Sequence, residues 1–210
     1  HFLDNSQIHY LKKVLKLKEG EPLFIHDGEG SRYVCTFDGK NSVSINDAIT
    51  KQRRFSITLL APVLKKNQLE FMLQKSVEIG VKNIYLYISK KSKHSFNFEK
   101  EENKMKRYDD IITSAFLQSE NFYKPNLNIV RSITDFNFDV FRQIIVLDQY
   151  SKNFLDKKVS CDLIVSGGEY GFDDREMKII SKNRASSFNL GENILRAETA
   201  PLVALSRLNN

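Results

Sequence analysis

The chain is poor in residues that hold metals. Among its 210 residues are two cysteines, Cys35 and Cys161, and four histidines, His1, His9, His26 and His94. The cysteines are too far apart for ligand spacing and the histidines do not cluster, so no metal site is expected. Two buried thiols in a reducing cytosol is the plain reading, ahead of a disulfide. No apolar run has the length needed to span a bilayer. The segment His1–Lys18 is too polar and charged for a secretion signal; His1 is given no role. There is no G-x-x-x-x-G-K-[ST], which argues against a P-loop ATPase, and no G-x-G-x-x-G after a first strand, which argues against a common dinucleotide enzyme. The absence of a G-x-S-x-G elbow removes support for a hydrolase. No repeat or low-complexity tract is present.

What remains is a chain able to build a core, with 41% hydrophobic residues and a net charge of +6. Residues 1–52 carry seven basic and seven acidic side chains; residues 53–210 carry 25 and 19, so the excess lies there. A basic excess favours a polyanionic partner, and is also common in ordinary soluble proteins.

Residues 1–52 read as short strands joined by Asp-Gly turns. Pro22–His26 runs into Asp27-Gly28, and Tyr33–Phe37 into Asp38-Gly39, with Val43–Ile45 as a third strand. The spacing predicts a small β-barrel with a helical segment near Ile8–Leu15. After a polar linker at Lys51–Arg54 the pattern becomes alternating strands and helices. Strands are expected at Phe55–Pro62, Asn83–Ile88, Gln143–Asp148, Asp162–Ser166 and Ser187–Leu190. Helices are expected from Asn67 to Gly80, with Asn67 and Glu70 as a capping box, from Lys100 to Ser119, from Asp173 to about Asn183, and from Thr199 to Leu208. The organisation is therefore a domain over 1–52 and an α/β domain over 53–210, whose mostly parallel sheet is covered on both faces. Ligands of such sheets bind beyond the carboxyl ends of the strands.

Three of those ends carry the informative residues. Leu147-Asp148 is one. Ser166-Gly167-Gly168-Glu169-Tyr170-Gly171-Phe172 is the second, and Leu190-Gly191-Glu192-Asn193-Ile194-Leu195-Arg196-Ala197-Glu198-Thr199-Ala200 is the third. A glycine turn at a strand end lets a ligand touch main-chain groups. From spacing alone, packing is the stronger reading of these glycines.

The third segment resembles the RsmE family, bacterial enzymes that methylate uracil N3 in small-subunit ribosomal RNA. Its Leu-Gly-x-x-Ile-Leu-Arg-x-Glu-Thr-Ala pattern is matched in full. The family's Gly-Pro-Glu-Gly-Gly-Phe turn is matched at Gly167, Glu169, Gly171 and Phe172, with Gly168 in place of proline and Tyr170 in place of glycine. Gln74–Val81 is similar to the family's helix ending in Lys-x-x-Glu-Leu-Gly-Val. His9 through Lys16 and Gly20, with Asp27-Gly28 and Tyr33, is similar to its N-terminal signature. Two stretches depart from the pattern. Glu-Gln-Ser-x-Arg becomes Leu117-Gln118-Ser119-Glu120-Asn121, and Glu-Arg-Ser becomes Lys90-Lys91-Ser92.

The resemblance implies an α/β fold: a C-terminal, trefoil-knotted SPOUT methyltransferase domain behind a small N-terminal PUA-like β-barrel. It implies a homodimer and S-adenosylmethionine as methyl donor to ribosomal RNA or the small ribosomal subunit. It places Leu147, Gly167, Gly168, Leu190, Gly191, Ile194 and Leu195 on the cofactor wall. Arg196 is the candidate for substrate electrostatics, its alternative an ion pair with Glu198 or a helix end. Glu169 and Glu198 are candidate proton acceptors. For Glu198 a purely structural place at a helix start is the stronger alternative, and Glu169 could instead fix its own loop. Lys12, Lys13, Lys16 and Lys18, and Lys90, Lys91 and Lys93 with His94, are candidate phosphate contacts, and Tyr123 beside Lys124 a candidate stacking ring. A solvated surface explains the lysines equally well, and a core or dimer contact explains Tyr123. The rival functions are a non-catalytic RNA-binding protein with a decayed methyltransferase domain and a SPOUT enzyme acting on transfer RNA.

Overall fold

The computed structural model describes residues 1–92 and 94–209; Lys93 lies outside them. The chain divides into two compact units, His1–Arg53 and Arg54–Asn210.

In the first unit, helix α1 (Asn5–His9) starts earlier than the apolar spacing predicts, because Asp4 caps it. The Asp4 carboxylate accepts the Gln7 N–H at 2.8 Å, and the Gln7 side chain accepts the Asp4 N–H at 3.0 Å. The helix runs into a π-helical turn, Tyr10–Val14, that buries Leu11. Strands β1 (Pro22–His26), β2 (Ser31–Phe37) and β3 (Val43–Thr50) form an antiparallel meander. Each connecting turn is organised by an aspartate. Asp27 Oδ1 accepts from Glu29 N and Ser31 N, and Asp38 Oδ1 accepts from Lys40 N and Ser42 N. Phe2 forms an isolated antiparallel bridge with Ser42, just before β3. Leu11, Cys35, Phe37 and Val43 fill the core of this unit.

The second unit holds a six-stranded parallel sheet in the order β6-β5-β4-β8-β7-β9. Its strands are β4 (Thr58–Pro62), β5 (Asn83–Tyr87), β6 (Asn126–Val130), β7 (Ile144–Leu147), β8 (Leu163–Val165) and β9 (Ser186–Phe188). Central β4 is buried at every position, as expected for a strand covered on both faces. Its side chains alternate between two cores. Leu59 and Ala61, with Ile84, Leu86, Ile145 and Ile164, pack against α2 (Lys66–Ile79), α4 (Met105–Gln118) and α6 (Thr199–Leu208). Leu60, with Tyr87, Val146, Leu163 and Val165, packs against Ile180 of α5 (Asp174–Lys182) and an aromatic group around Phe136. Phe136 meets Tyr85 and Phe138 edge-on at 5.0 and 4.9 Å. Strand β8 enters between β4 and β7, both earlier in the chain, the interleaving that a knotted sheet requires.

Three local expectations change. Helix α2 begins one residue early, and Lys65 stands at its cap without a side-chain bond. Glu70 is turned instead to Arg107 of α4, 2.7 Å away. The helix expected over Lys100–Ser119 is two, α3 (Phe98–Glu102) and α4. Asn97 caps α3 by accepting the Lys100 N–H at 2.9 Å. Buried Glu101 then joins the pair, accepting from Tyr108 Oη at 2.6 Å and Lys104 Nζ at 2.7 Å. Strand β6 has no counterpart among the expected elements. Both cysteines are free, and burial pushes the Cys161 thiol up to about 12. Among the described residues, no helix is long and apolar enough to cross a membrane.

Candidate active site

Because all six strands are parallel, their carboxyl ends share one edge. The loops leaving β8, β7 and β9, neighbours in the sheet, bring together Leu147, Gly167, Gly168, Leu190 and Gly191.

The loop leaving β8 is fastened on its inner side. Ser166 N donates to Leu60 O at 2.9 Å, and the buried Tyr87 hydroxyl donates to Ser166 O at 3.0 Å. Burial, with Glu176 nearby, raises the Tyr87 phenol well above its ordinary value, so it stays a donor. Gly171 N donates to Gly168 O at 3.0 Å and closes a tight turn over Glu169 and Tyr170. Gly171 takes φ +73°, where a side chain is strained.

The glycines of these loops fall into two pairs, and for the first pair the space is packed, as spacing alone favours. A side-chain carbon on Gly167 would stand 3.1 Å from Gly171 and Phe172, and one on Gly168 would stand 3.1 Å from Lys91 O and 3.2 Å from Ser89 Oγ. The chain itself fills that space. Beside Gly171 and Gly191 nothing among the described residues lies within 4 Å of such a carbon. Gly191 also takes φ +143°. Room for a ligand therefore lies along Gly171 and Gly191.

Glu169 is half-buried at the turn. Its Oε2 is shut off from water and has no hydrogen-bond partner among the described residues. An acceptor held this way costs stability unless a bound group donates to it.

In the loop leaving β9, Asn189 Oδ1 accepts the Gly191 N–H at 3.0 Å. Ile194 is 79% exposed at the loop's crest, and Leu195 is half-buried. Arg196 turns the chain into α6, its carbonyl accepting the Thr199 and Ala200 N–H groups at 2.9 and 3.0 Å. The Arg196 guanidinium is largely in solvent and lies 3.9 Å from Glu198 Oε1, a loose ion pair. Glu198 itself is buried, without a capping bond to α6, and takes long hydrogen bonds at 3.3 and 3.4 Å from the Gln68 amide of α2. It is built into the α2–α6 contact, whereas Glu169 Oε2 is left without a donor among the described residues.

The loop leaving β5 carries Lys90 and Lys91, both exposed, and it rests on the β8 turn through Ser89 and the Lys91 carbonyl. Buried Glu176 holds it further. Burial raises the Glu176 carboxyl, while N–H groups of Asp173 and Lys90 donate to it. Other expected residues lie elsewhere. Tyr123 is half-buried just before β6, at the sheet edge opposite these loops, and its neighbour Lys124 is paired with Asp109 at 2.8 Å. Lys12, Lys13 and Lys16 are exposed on the first unit, where Lys12 Nζ sits 5.9 Å over the Phe37 ring. Two contributors carry no signal in the sequence: Asn189 and Arg207, whose side chains hold loop carbonyls of the site.

Both units are similar to known proteins. Residues 51–209 match the RNA methyltransferase domain family, and residues 3–46 match the RNA methyltransferase PUA domain. Over 227 residues the chain is 30% identical to the ribosomal RNA small subunit methyltransferase E of Buchnera aphidicola from Acyrthosiphon pisum, covering 99% of this chain and 87% of that one. It is 28% identical over 213 residues to the protein of the same name from Mesomycoplasma hyopneumoniae, covering 98% and 92%. The crystal structure of a ribosomal RNA small subunit methyltransferase E from Neisseria gonorrhoeae, bound to S-adenosylmethionine, has the same fold. Its TM-score is 0.83 at 24% identity, covering 98% of this chain and 89% of that one.

Proposed function

We propose, from the premise that this chain belongs to the RNA methyltransferase family and within it to the ribosomal RNA small subunit methyltransferases E, that it methylates N3 of a uridine in small-subunit ribosomal RNA with S-adenosylmethionine as donor. The observation that carries the reading is the pairing of open space along Gly191 and Gly171 with the donor-less Oε2 of Glu169 at the same strand ends. The residues fit the cofactor: Leu147, Leu190 and Leu195 supply apolar wall, Ile194 stands exposed beside it, and the loops leaving β7, β8 and β9 supply main-chain contacts.

When bound, S-adenosylmethionine supplies an electrophilic methyl group on a sulfonium centre. The neutral imide of uracil is a poor nucleophile, so the N3 proton must be taken by a base. Glu169 Oε2 is an acceptor awaiting a donor, and the N3–H is one. Arg196, exposed beside the loop, meets the negative charge that develops on the ring oxygens or a flanking phosphate with two parallel donors. Lys90 and Lys91, seated on the Gly168 turn, contact phosphates of the RNA; Lys12, Lys13 and Lys16 add contacts from the PUA-like unit. The active form is a homodimer in the cytoplasm.

The test is transfer of tritiated methyl groups to small ribosomal subunits from a strain lacking the enzyme, with the product nucleoside identified. Label as 3-methyluridine in ribosomal RNA supports the reading. Label confined to transfer RNA, or none, overturns it.

A further inference from the structure

We propose that Asn189 and Arg207 are positioning residues, two side chains that stitch the loop leaving β7 to the loop leaving β9 and so hold two walls of the cofactor slot in register. The inference rests on the cofactor reading above and names which groups of this chain keep that slot in shape.

Asn189 follows β9 directly. Its Nδ2 donates to Gln149 O at 2.9 Å, in the loop leaving β7, while its Oδ1 takes the Gly191 N–H at 3.0 Å. Its own main chain joins the same seam: Asn189 N donates to Asn153 O at 2.7 Å, and Leu155 N donates to Asn189 O at 2.9 Å. One asparagine thus sets the conformation of its own loop and ties that loop to its neighbour.

Arg207, in the last turn of α6, makes the second stitch from behind. Nη2 donates to Leu190 O at 2.7 Å and Nη1 to Leu155 O at 3.2 Å, one carbonyl from each loop. The guanidinium supplies both carbonyls with a donor. A planar fork with fixed donors can span two acceptors at once; a lysine ammonium on a flexible stem does not reproduce that geometry. Both stitches hold the one peptide that joins Leu190 to Gly191, its N–H bonded to Asn189 and its carbonyl to Arg207, directly before the open side of Gly191.

Three variants test this: Asn189→Ala, Arg207→Met and the milder Arg207→Lys. Hydrogen exchange of the full-length protein without cofactor should speed up at residues 149–155 and 189–195 and stay unchanged in β4 and α2. Calorimetry should show S-adenosylmethionine affinity falling roughly tenfold for Asn189→Ala and Arg207→Met, and less for Arg207→Lys. At saturating cofactor, kcat and the KM for small subunits should stay within about twofold of the parent, since neither side chain touches the reacting atoms. Unchanged exchange shows that the stitches do not hold the loops. Faster exchange with unchanged affinity shows that the loops do not shape the slot. Each overturns the positioning role while the cofactor reading stands. A parent protein that binds no S-adenosylmethionine overturns both.

Discussion

The main chain of Gly168 sits against that of Lys91, so that a side-chain carbon at position 168 would be 3.1 Å from the Lys91 carbonyl oxygen. Both positions are among those where the chain departs from the family pattern, with glycine for proline in one loop and Lys90-Lys91 for Glu-Arg in the other. In the fold the departures touch. The glycine leaves room for the lysine-bearing loop to lie close against the β8 turn.

Gly168→Ala should therefore destabilise the protein by about 1–3 kcal/mol through overpacking against main-chain atoms, read as a lower urea midpoint. Adding Ser89→Gly removes the hydroxyl that would stand 3.2 Å from the new carbon and should recover part of the stability. An unchanged midpoint in the single variant would show that the lysine loop yields freely.

Gly191→Val should abolish S-adenosylmethionine binding with the fold retained. The valine fills the open space beside the main chain, and at φ +143° it adds roughly 1–3 kcal/mol of backbone strain. Calorimetric titration should show no binding heat, while circular dichroism keeps the parent spectrum. Parent-like affinity would place the slot elsewhere.

The features legible in the sequence are those whose cause is local. The buried stripe of α2 falls on Leu69, Met72, Leu73, Ser76 and Val77, all set by helical spacing. Gly80 ends that helix at φ +97°, and Asp173 with Glu176 caps α5, because each needs only residues within one turn. Strand β6 is illegible for the opposite reason. Asn126-Leu127-Asn128-Ile129 alternates over only four residues, with asparagine a poor strand former, and becomes a strand at the sheet edge through its pairing with β5. Glu198 reads as a helix-end carboxylate, yet its side chain is engaged by Gln68, 130 residues earlier. Asn189 and Arg207 are single polar residues whose partners arrive from other elements, so no spacing marks them. The exposed lysines Lys12, Lys13, Lys16, Lys90 and Lys91 are legible as charge and nothing more, since exposure leaves no pattern.

Tyr108→Phe should cost about 1–2 kcal/mol, because buried Glu101 loses a donor at 2.6 Å and keeps Lys104. Glu101→Ala should cost more, since it releases both partners and leaves a cavity where α3 meets α4. Urea denaturation of both variants reads the difference, and equal midpoints for the parent and Tyr108→Phe would remove Glu101 as the joint between the helices.

The first unit should weaken in acid through Asp38. The Ser42 N–H, with those of Lys40 and Asn41 and the Ser42 hydroxyl, holds its carboxyl down to about 2, against an ordinary value of 3.8. A carboxyl depressed in the folded state stabilises it above the unfolded value, and that contribution is lost as pH falls through the folded value. The turn at Asp38–Ser42 should therefore keep its amide protection at about pH 5 and lose it between about pH 4 and 2. Asp38→Asn should flatten that dependence in exchange measurements; a parent-like acid response in the variant would assign it to another carboxylate.

Arg196→Ala should cut methyl transfer far more than cofactor binding. The guanidinium is largely solvated and its ion-pair partner, Glu198, is 3.9 Å away, so removing it perturbs little of the fold. In the proposed reading it acts once the substrate's charge develops, which predicts kcat/KM for small subunits falling by roughly 10²–10³, a range typical of removing one preorganised donor. S-adenosylmethionine affinity should stay within about twofold. Lys90→Ala and Lys91→Ala should behave differently. Each should weaken RNA binding and reduce its salt dependence by about one unit of slope, as one phosphate is no longer neutralised. The two classes separate cleanly in one experiment, kinetics against salt concentration. Equal drops in cofactor affinity and turnover for Arg196→Ala would move Arg196 from the substrate to the slot wall.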